Sequence, residues 1–207
     1  MLIQFRFQNY KSFKNEAILD LSASKITEHA NHIVNTCGEK LLPVAAIYGA
    51  NASGKSNVIE AFRFMSTYVI NSFTYGDKTV DKQYTQMALP FLFDKKSADE
   101  PSLFEVFFTI PGESREKIYN FGFTLKGTKV IEEWFNAKAK TASDYKRIYY
   151  RNVSEGKLDL PGVSKVGAGN IKVSLSSETL IASLGDKLKI QEVSCIRQRE
   201  CYQSHVG

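Results

Sequence analysis

The stretch "YGANASGKSN", residues 48–57, restricts what this chain can fold into more than any other. It spells G-x-x-x-x-G-K-[ST], with Gly49, Gly54, Lys55 and Ser56 at the fixed positions. That is the pattern of a loop that wraps phosphate groups between a strand and a helix. The residues before it, "LLPVAAIYG", give an apolar run of Val44, Ala45, Ala46, Ile47 and Tyr48. The run is too short for a helix and predicts a strand buried on both faces, as in a parallel α/β sheet. After Gly54 the period changes. Val58, Ile59, Ala61, Phe62, Met65, Val69 and Ile70 recur at three- and four-residue intervals, which predicts a packed helix beginning within the loop.

Each position in the loop has a physical reason. Gly49 and Gly54 allow dihedrals and close approaches that a Cβ would block. The backbone N–H groups around Asn51, Ala52, Ser53, Gly54 and Lys55 form an anion nest, reinforced by the helix N-terminus. Lys55, the candidate catalytic residue, brings a compact cation to the β- and γ-phosphates, and the Ser56 hydroxyl is the expected Mg²⁺ ligand. Ala50 and Asn57 complete the candidate nucleotide-binding set at its two ends.

The rest of the chain is read by periodicity. In "LIQFRFQNYKSF", Ile3, Phe5 and Phe7 alternate with Gln4, Arg6 and Gln8, which predicts a half-buried strand. "AILDLS", residues 17–22, predicts a second, antiparallel one. Strands are also expected at residues 102–110 and 119–125, joined by the hairpin-length "PGESREK", with "KVIEEWF" and "KRIYYRN" continuing the meander. The alternating Tyr119, Phe121, Phe123 and Leu125 read as the core face of a sheet rather than a base-stacking platform. "SSETLIASLGDK", residues 176–187, predicts a short helix with Ser176 or Ser177 as N-cap and Gly185 as terminator. Three segments follow: residues 1–87 with the phosphate loop, a β-rich arm at 88–152, and a helical or irregular segment at 153–207.

Charge and cysteine content exclude more than they assert. The formal net charge of +5 comes from 27 basic and 22 acidic residues, too mild a bias to argue for a nucleic-acid surface. The most basic stretch, with Lys138, Lys140, Lys146, Arg147 and Arg151, reads as a solvated strand-and-loop surface. No apolar run approaches the roughly 20 residues that cross a bilayer, and nothing resembles a signal peptide, so the expected location is the cytoplasm, away from membranes. Cys37, Cys195 and Cys201 imply no disulfide framework, and Cys195, Cys201 and His205 lack zinc-site spacing.

Together "FRFQNYKSF" and "LLPVAAIYGANASGKSNVIEAFRFM" resemble the N-terminal half of ABC-type ATPases of the SMC, RecF and OLD group. Within it they are most similar to bacterial AAA-family ATP-binding proteins that include abortive-infection and phage-defence ATPases. The likeness covers about residues 1–152, its later part carried by "PFLFDKKSADEPSLFEVFFT", "YNFGFTLKGTKVIEEWF" and "KRIYYRN". It implies a P-loop NTPase fold, head-like, with an antiparallel β-rich subdomain. It also implies Mg-ATP as ligand and, in full-length relatives, hydrolysis, pairing of two heads around ATP as a homodimer, and work on DNA. The family's N-[FY]-[KR]-S-[FH] turn matches Asn9, Tyr10, Lys11, Ser12 and Phe13. In relatives this turn lies beside the nucleotide, which makes Lys11 and Ser12 further binding candidates.

The departures concern hydrolysis. Such ATPases carry a signature helix, an apolar strand ending in Asp-Glu and a switch histidine after the β-rich arm, and none is recognisable. Asp20 ends "AILD" but precedes the loop and is followed by Leu21; "LKIQE", residues 188–192, is broken by Lys189 and Gln191; "SLSSETL" lacks the signature glycine. The expectation is an incomplete core, the N-terminal half of such an ATPase. A GTPase would need [NT]-K-x-D, which "TKVI" at residues 128–131 fails; D-x-x-G at Asp159–Gly162 is too short a pattern to restore that reading. The forty-odd residues before the loop argue against a small-molecule kinase. The alternative to an ATPase is a nucleotide-gated DNA- or partner-binding module.

Overall fold

The computed structural model describes residues 1–24, 30–75, 87–113, 115–194 and 196. Alternation in the sequence becomes a seven-stranded sheet in the order β2-β1-β5-β6-β7-β8-β9. Its strands are β1 (Leu2–Gln8), β2 (Ala17–Asp20), β5 (Ser102–Thr109), β6 (Lys117–Lys126), β7 (Lys129–Ala139), β8 (Lys146–Asn152) and β9 (Lys157–Asp159). Every neighbouring pair is antiparallel. β3 (Val34–Thr36) and β4 (Glu39–Leu41) form a separate hairpin. The helices are α1 (Lys55–Tyr75), α2 (Lys95–Asp99), α3 (Lys165–Ser174), α4 (Ile181–Lys187) and α5 (Gln191–Ser194).

One aromatic face of the sheet holds the core. Phe5, Phe7, Phe104, Phe121, Phe123, Phe135 and Tyr149 are fully buried there. Helix α1 packs on it through Ala61, Phe64, Met65, Tyr68 and Val69. The rings interlock: Phe64 lies 5.0 Å from Phe104, and Tyr68 stacks on Phe123 at 5.6 Å. Such pairs contribute about 0.5–1.5 kcal/mol each beyond the area they bury. Leu180, Ile181, Ala182 and Leu184 belong to the same core. The core draws on residues from before, within and after the β-rich arm.

The sequence-based strands at residues 2–8, 17–20 and 102–152 form as expected, and so does the helix after the loop. Three expectations need correction. The doubly buried parallel strand at residues 44–48 is not formed: these residues are extended coil, with Val44 68% and Tyr48 89% exposed. A flat apolar run becomes a sheet strand only when neighbours supply its hydrogen bonds. Here pairing ends with Leu42 N–H donating to Leu21 O, and Pro43 has no N–H to continue it.

Helix α4 begins later than expected and is capped differently. Its N-cap is Leu180, whose own side chain makes no cap bond, and Gly185 lies inside it rather than ending it. Gly185 is there because an added Cβ would lie 2.6 Å from Val193 of α5. Arg151, read as part of a solvated surface, is 7% exposed; its guanidinium donates to Thr179 O at 2.8 Å and Ser176 O at 2.7 Å. Helix α3, with Ser164 accepting from Gly167 N–H as its cap, lies in the segment the sequence reading left as helical or irregular. Cys195, Cys201 and His205 lie outside the described residues. No helix among the described residues is long and apolar enough to cross a membrane.

Candidate functional site

The loop at residues 49–54 runs directly into the first turn of α1 and lies open to solvent. Ala50, Asn51, Ala52, Ser53 and Ser56 are exposed, while Gly54, Lys55 and Asn57 are partly covered. Two left-handed residues turn the chain, Ala52 at φ 63° and Gly54 at φ 92°. Gly54 is doubly constrained, since an added Cβ would lie 2.9 Å from Ser12 Oγ and 3.1 Å from the Phe13 ring. Ser53 N–H donates to Ala50 O at 3.3 Å, and Asn57 and Val58 N–H both donate to Gly54 O, at 2.9 and 3.3 Å. Among the described residues, the amides of Gly54, Lys55 and Ser56 have no backbone acceptor. Such orphan donors at a helix N-terminus are a ready anion site.

Lys55 folds back over this loop. Its ammonium donates to Gly49 O at 2.8 Å and Ala50 O at 2.6 Å. A cation therefore stands at the loop mouth, held only by neutral carbonyls. An anion placed there gains charge-assisted hydrogen bonds in their stead. Lys55, the three free amides and the close approach at Gly54 together fit a phosphate group. Ser56 is exposed at the helix start, where its hydroxyl is free to meet a hard cation such as Mg²⁺.

The turn at residues 9–13 is built into this site, and each of its residues has a separate task. Asn9 is buried and holds φ 53°, a conformation that asparagine tolerates better than most. Its Nδ2 donates to Ser97 O at 2.7 Å and Glu100 O at 2.9 Å, and its Oδ1 accepts from Phe91 N–H at 3.0 Å. Ser102 Oγ donates to Asn9 O at 2.6 Å. Tyr10 and Phe13 bond to each other's backbone at 2.9 Å and plug into the core, Tyr10 5.5 Å from Phe64 and Phe13 4.9 Å from Phe7. Burial, with the nearby charge of Glu60 adding to it, pushes the Tyr10 hydroxyl up to about 12. Ser12 accepts from Asn57 Nδ2 at 2.7 Å, which ties the turn to the first turn of α1. Lys11 reaches the same helix one turn on and forms an ion pair with Glu60.

The structure thus brings Ser12 and Lys11 to the phosphate loop by way of Asn57, Gly54 and Glu60. Asn9 and Glu60 were absent from the residues singled out by sequence. Asn9 is part of the quoted turn, but a side chain that bonds residues about ninety positions away leaves no local signal. Glu60 had one available signal, its i+4 spacing from Ser56 on one helix face. A cavity of about 160 Å³ opens elsewhere, between the β3–β4 turn and the β5–β6 loop; Thr36, Cys37, Thr109 and Glu113 are in its wall, and no phosphate-loop residue is. Among the described residues, no three His, Cys, Asp or Glu side chains group as metal ligands.

No curated protein matches the chain. A family model does match, described as "AAA domain, putative AbiEii toxin, Type IV TA system", over residues 44–160. That span runs from the residues leading into the loop, through α1 and the β-rich arm, to the end of β9, more than half of the 207-residue chain. The chain belongs to that family of AAA domains.

Proposed function

We propose that the chain binds Mg-ATP through residues 49–57, as the nucleotide-binding part of an AAA/ABC-type ATPase. The observation that carries this reading is the meeting of Lys55, the unbonded amides of Gly54, Lys55 and Ser56, and the turn bearing Ser12 on one open shelf. Lys55 exchanges the carbonyls of Gly49 and Ala50 for β- and γ-phosphate oxygens. The loop amides bind the phosphates along their length, and Ser56 supplies a ligand to Mg²⁺. The metal, when bound, neutralises charge on the phosphate oxygens. Gly54 keeps the backbone close to Ser12, so that the turn and the loop act as one surface. The base is taken as adenine because no [NT]-K-x-D sequence reads guanine.

Hydrolysis is a separate requirement. Orienting a water against phosphate takes a carboxylate or an equivalent group, and the sequence offers no Asp-Glu strand end to supply it. The chain alone therefore holds nucleotide with negligible turnover. Its family description points to a toxin–antitoxin setting, which fits a role in abortive infection or phage defence. A second reading, a nucleotide-gated module that pairs heads or docks a partner or DNA, is favoured by the exposed apolar residues close to the site in sequence and along the turn: Val44, Tyr48, Leu92 and Phe93.

One experiment separates these readings. A fluorescent ATP analogue is titrated onto the chain with Mg²⁺ and displaced by ATP or GTP, while light scattering follows association and phosphate release follows turnover. ATP displaces better than GTP, and Lys55→Ala weakens binding by tenfold or more, about 1.4 kcal/mol. ATP-dependent association or DNA capture supports the gated module. A robust steady-state rate that vanishes in Lys55→Ala refutes the statement about turnover.

A further inference from the structure

Glu60 carries a charge that the phosphate cradle does not use. It follows Ser56 by four residues in α1, so the two side chains share a helix face about 6 Å apart along the axis. Its carboxylate accepts from the Lys11 ammonium in a direct ion pair. Lys11 arrives from a different element and its backbone cannot drift. It holds φ 50°, its N–H donates to Leu89 O at 2.8 Å, and its neighbour Ser12 is bonded to Asn57. Only the Lys11 side chain is free to move, lying 5.8 Å from the Tyr10 ring centroid. The pair is loosely held, for the two side chains are 29% and 41% exposed, and ion pairs at such exposure are weak.

We infer that Glu60 is a positioning residue for the nucleotide site. It parks Lys11 one helical turn below the phosphate loop, and Lys11 leaves it for phosphate oxygens when a nucleoside triphosphate arrives. The inference rests on reading residues 49–57 as the triphosphate site. The charges set the direction of exchange. A triphosphate offers Lys11 several negative charges at the helix N-terminus, where the dipole already favours an anion, against the single carboxylate of Glu60. A monophosphate offers fewer and displaces Glu60 less well. Glu60 therefore limits affinity instead of supporting it, and the exchange favours highly charged nucleotides.

The test is a binding titration of the full chain with Mg-ATP and with AMP, using the unsubstituted protein, Glu60→Gln, Lys11→Ala, the double variant and Lys55→Ala. Glu60→Gln tightens ATP binding about two- to fivefold, the range set by a weak exposed pair, without shifting the thermal midpoint. Lys11→Ala weakens it. In the Lys11→Ala background, Glu60→Gln changes nothing, since there is no cation left to release. The gain from Glu60→Gln shrinks at high salt and is smaller for AMP. Weaker or unchanged ATP binding in Glu60→Gln overturns the inference. Equal tightening with and without Lys11 also overturns it, because simple repulsion would then explain the effect. If the unsubstituted chain binds no better than Lys55→Ala, the triphosphate reading falls, and the parking role falls with it.

Discussion

Tyr10 reports on the turn beneath the phosphate loop through one hydroxyl. It is 4% exposed, and its titration is pushed from 10.0 up to about 12, chiefly by burial. A group whose folded value is raised contributes stability that is complete below its unfolded value and lost as pH rises through the folded one. Tyr10 thus costs the chain about 2–3 kcal/mol between pH 10 and pH 12, where the unfolded chain releases this proton and the folded chain keeps it. Tyr10→Phe keeps the ring contacts with Phe64 and Phe104 and removes the proton. Denaturant midpoints measured across this range fall steeply for the unsubstituted chain and less steeply for Tyr10→Phe; equal slopes would refute the assignment. Tyr68, also raised by burial, contributes to the slope over the same range and beyond it, so Tyr10→Phe removes only part of the fall. At this scale the sequence was legible where residues act through their own backbone neighbourhood. Lys55, Gly54 and Ser56 follow from a spacing rule. Asn9 does not, because its three hydrogen bonds end on Phe91, Ser97 and Glu100, which only folding brings near.

Strands and helices were legible for a similar reason. The alternation of β1, β5, β6 and β8 and the three-to-four spacing of α1 follow from which side each residue must face, and short-range pattern carries that information. Helix α4 shows the limit. The serines before it suggested a local cap, yet the cap comes from β7. Glu133 is fully buried and its carboxylate accepts from Ile181 N–H at 2.8 Å, Ala182 N–H at 3.1 Å and the Tyr149 hydroxyl at 2.8 Å. Burial pushes this carboxyl up, while those donors and the neighbouring Arg151 oppose the shift. Sequence shows only two adjacent glutamates; it does not tell which one the strand turns inward. The consequence is measurable. Glu133→Ala orphans two helix amides and a buried hydroxyl beside a buried guanidinium and lowers unfolding free energy by about 2–4 kcal/mol. Ser177→Ala, at one of the two cap positions the sequence offered, changes it by less than about 0.5 kcal/mol. Chemical denaturation of the two variants decides between the local and the cross-element cap, and a reversed order refutes the Glu133 cap.

Stability across the whole molecule is uneven, and the unevenness coincides with the loop at residues 49–54. β6 is paired on both sides over nearly its full length, with Phe121 and Phe123 fully buried. Tyr68 binds α1 to the connections around the sheet through its hydroxyl, whose one proton is shared between Thr128 O and Glu178 O, both at 2.9 Å. By contrast, residues 44–50 make no strand pairing, and their apolar side chains stand in solvent. The apolar pattern of that run was plain in the sequence. Whether it would be buried was not, because burial depends on which strands lie alongside. The phosphate loop therefore joins a firmly anchored helix to a segment with little holding it, and local opening of that segment needs far less free energy than global unfolding. Amide hydrogen exchange makes the contrast quantitative. In the nucleotide-free chain, residues 44–53 exchange within about tenfold of the unprotected rate, while central β6 amides exchange only through global opening. Mg-ATP slows exchange at Gly54, Lys55 and Ser56, whose N–H groups gain acceptors, and leaves residues 44–47 fast. Strong protection of residues 44–47 without nucleotide would mean that the run is already paired. Protection that spreads to them on adding Mg-ATP, together with a rise in light scattering, would mean that nucleotide binding recruits a second surface to cover it.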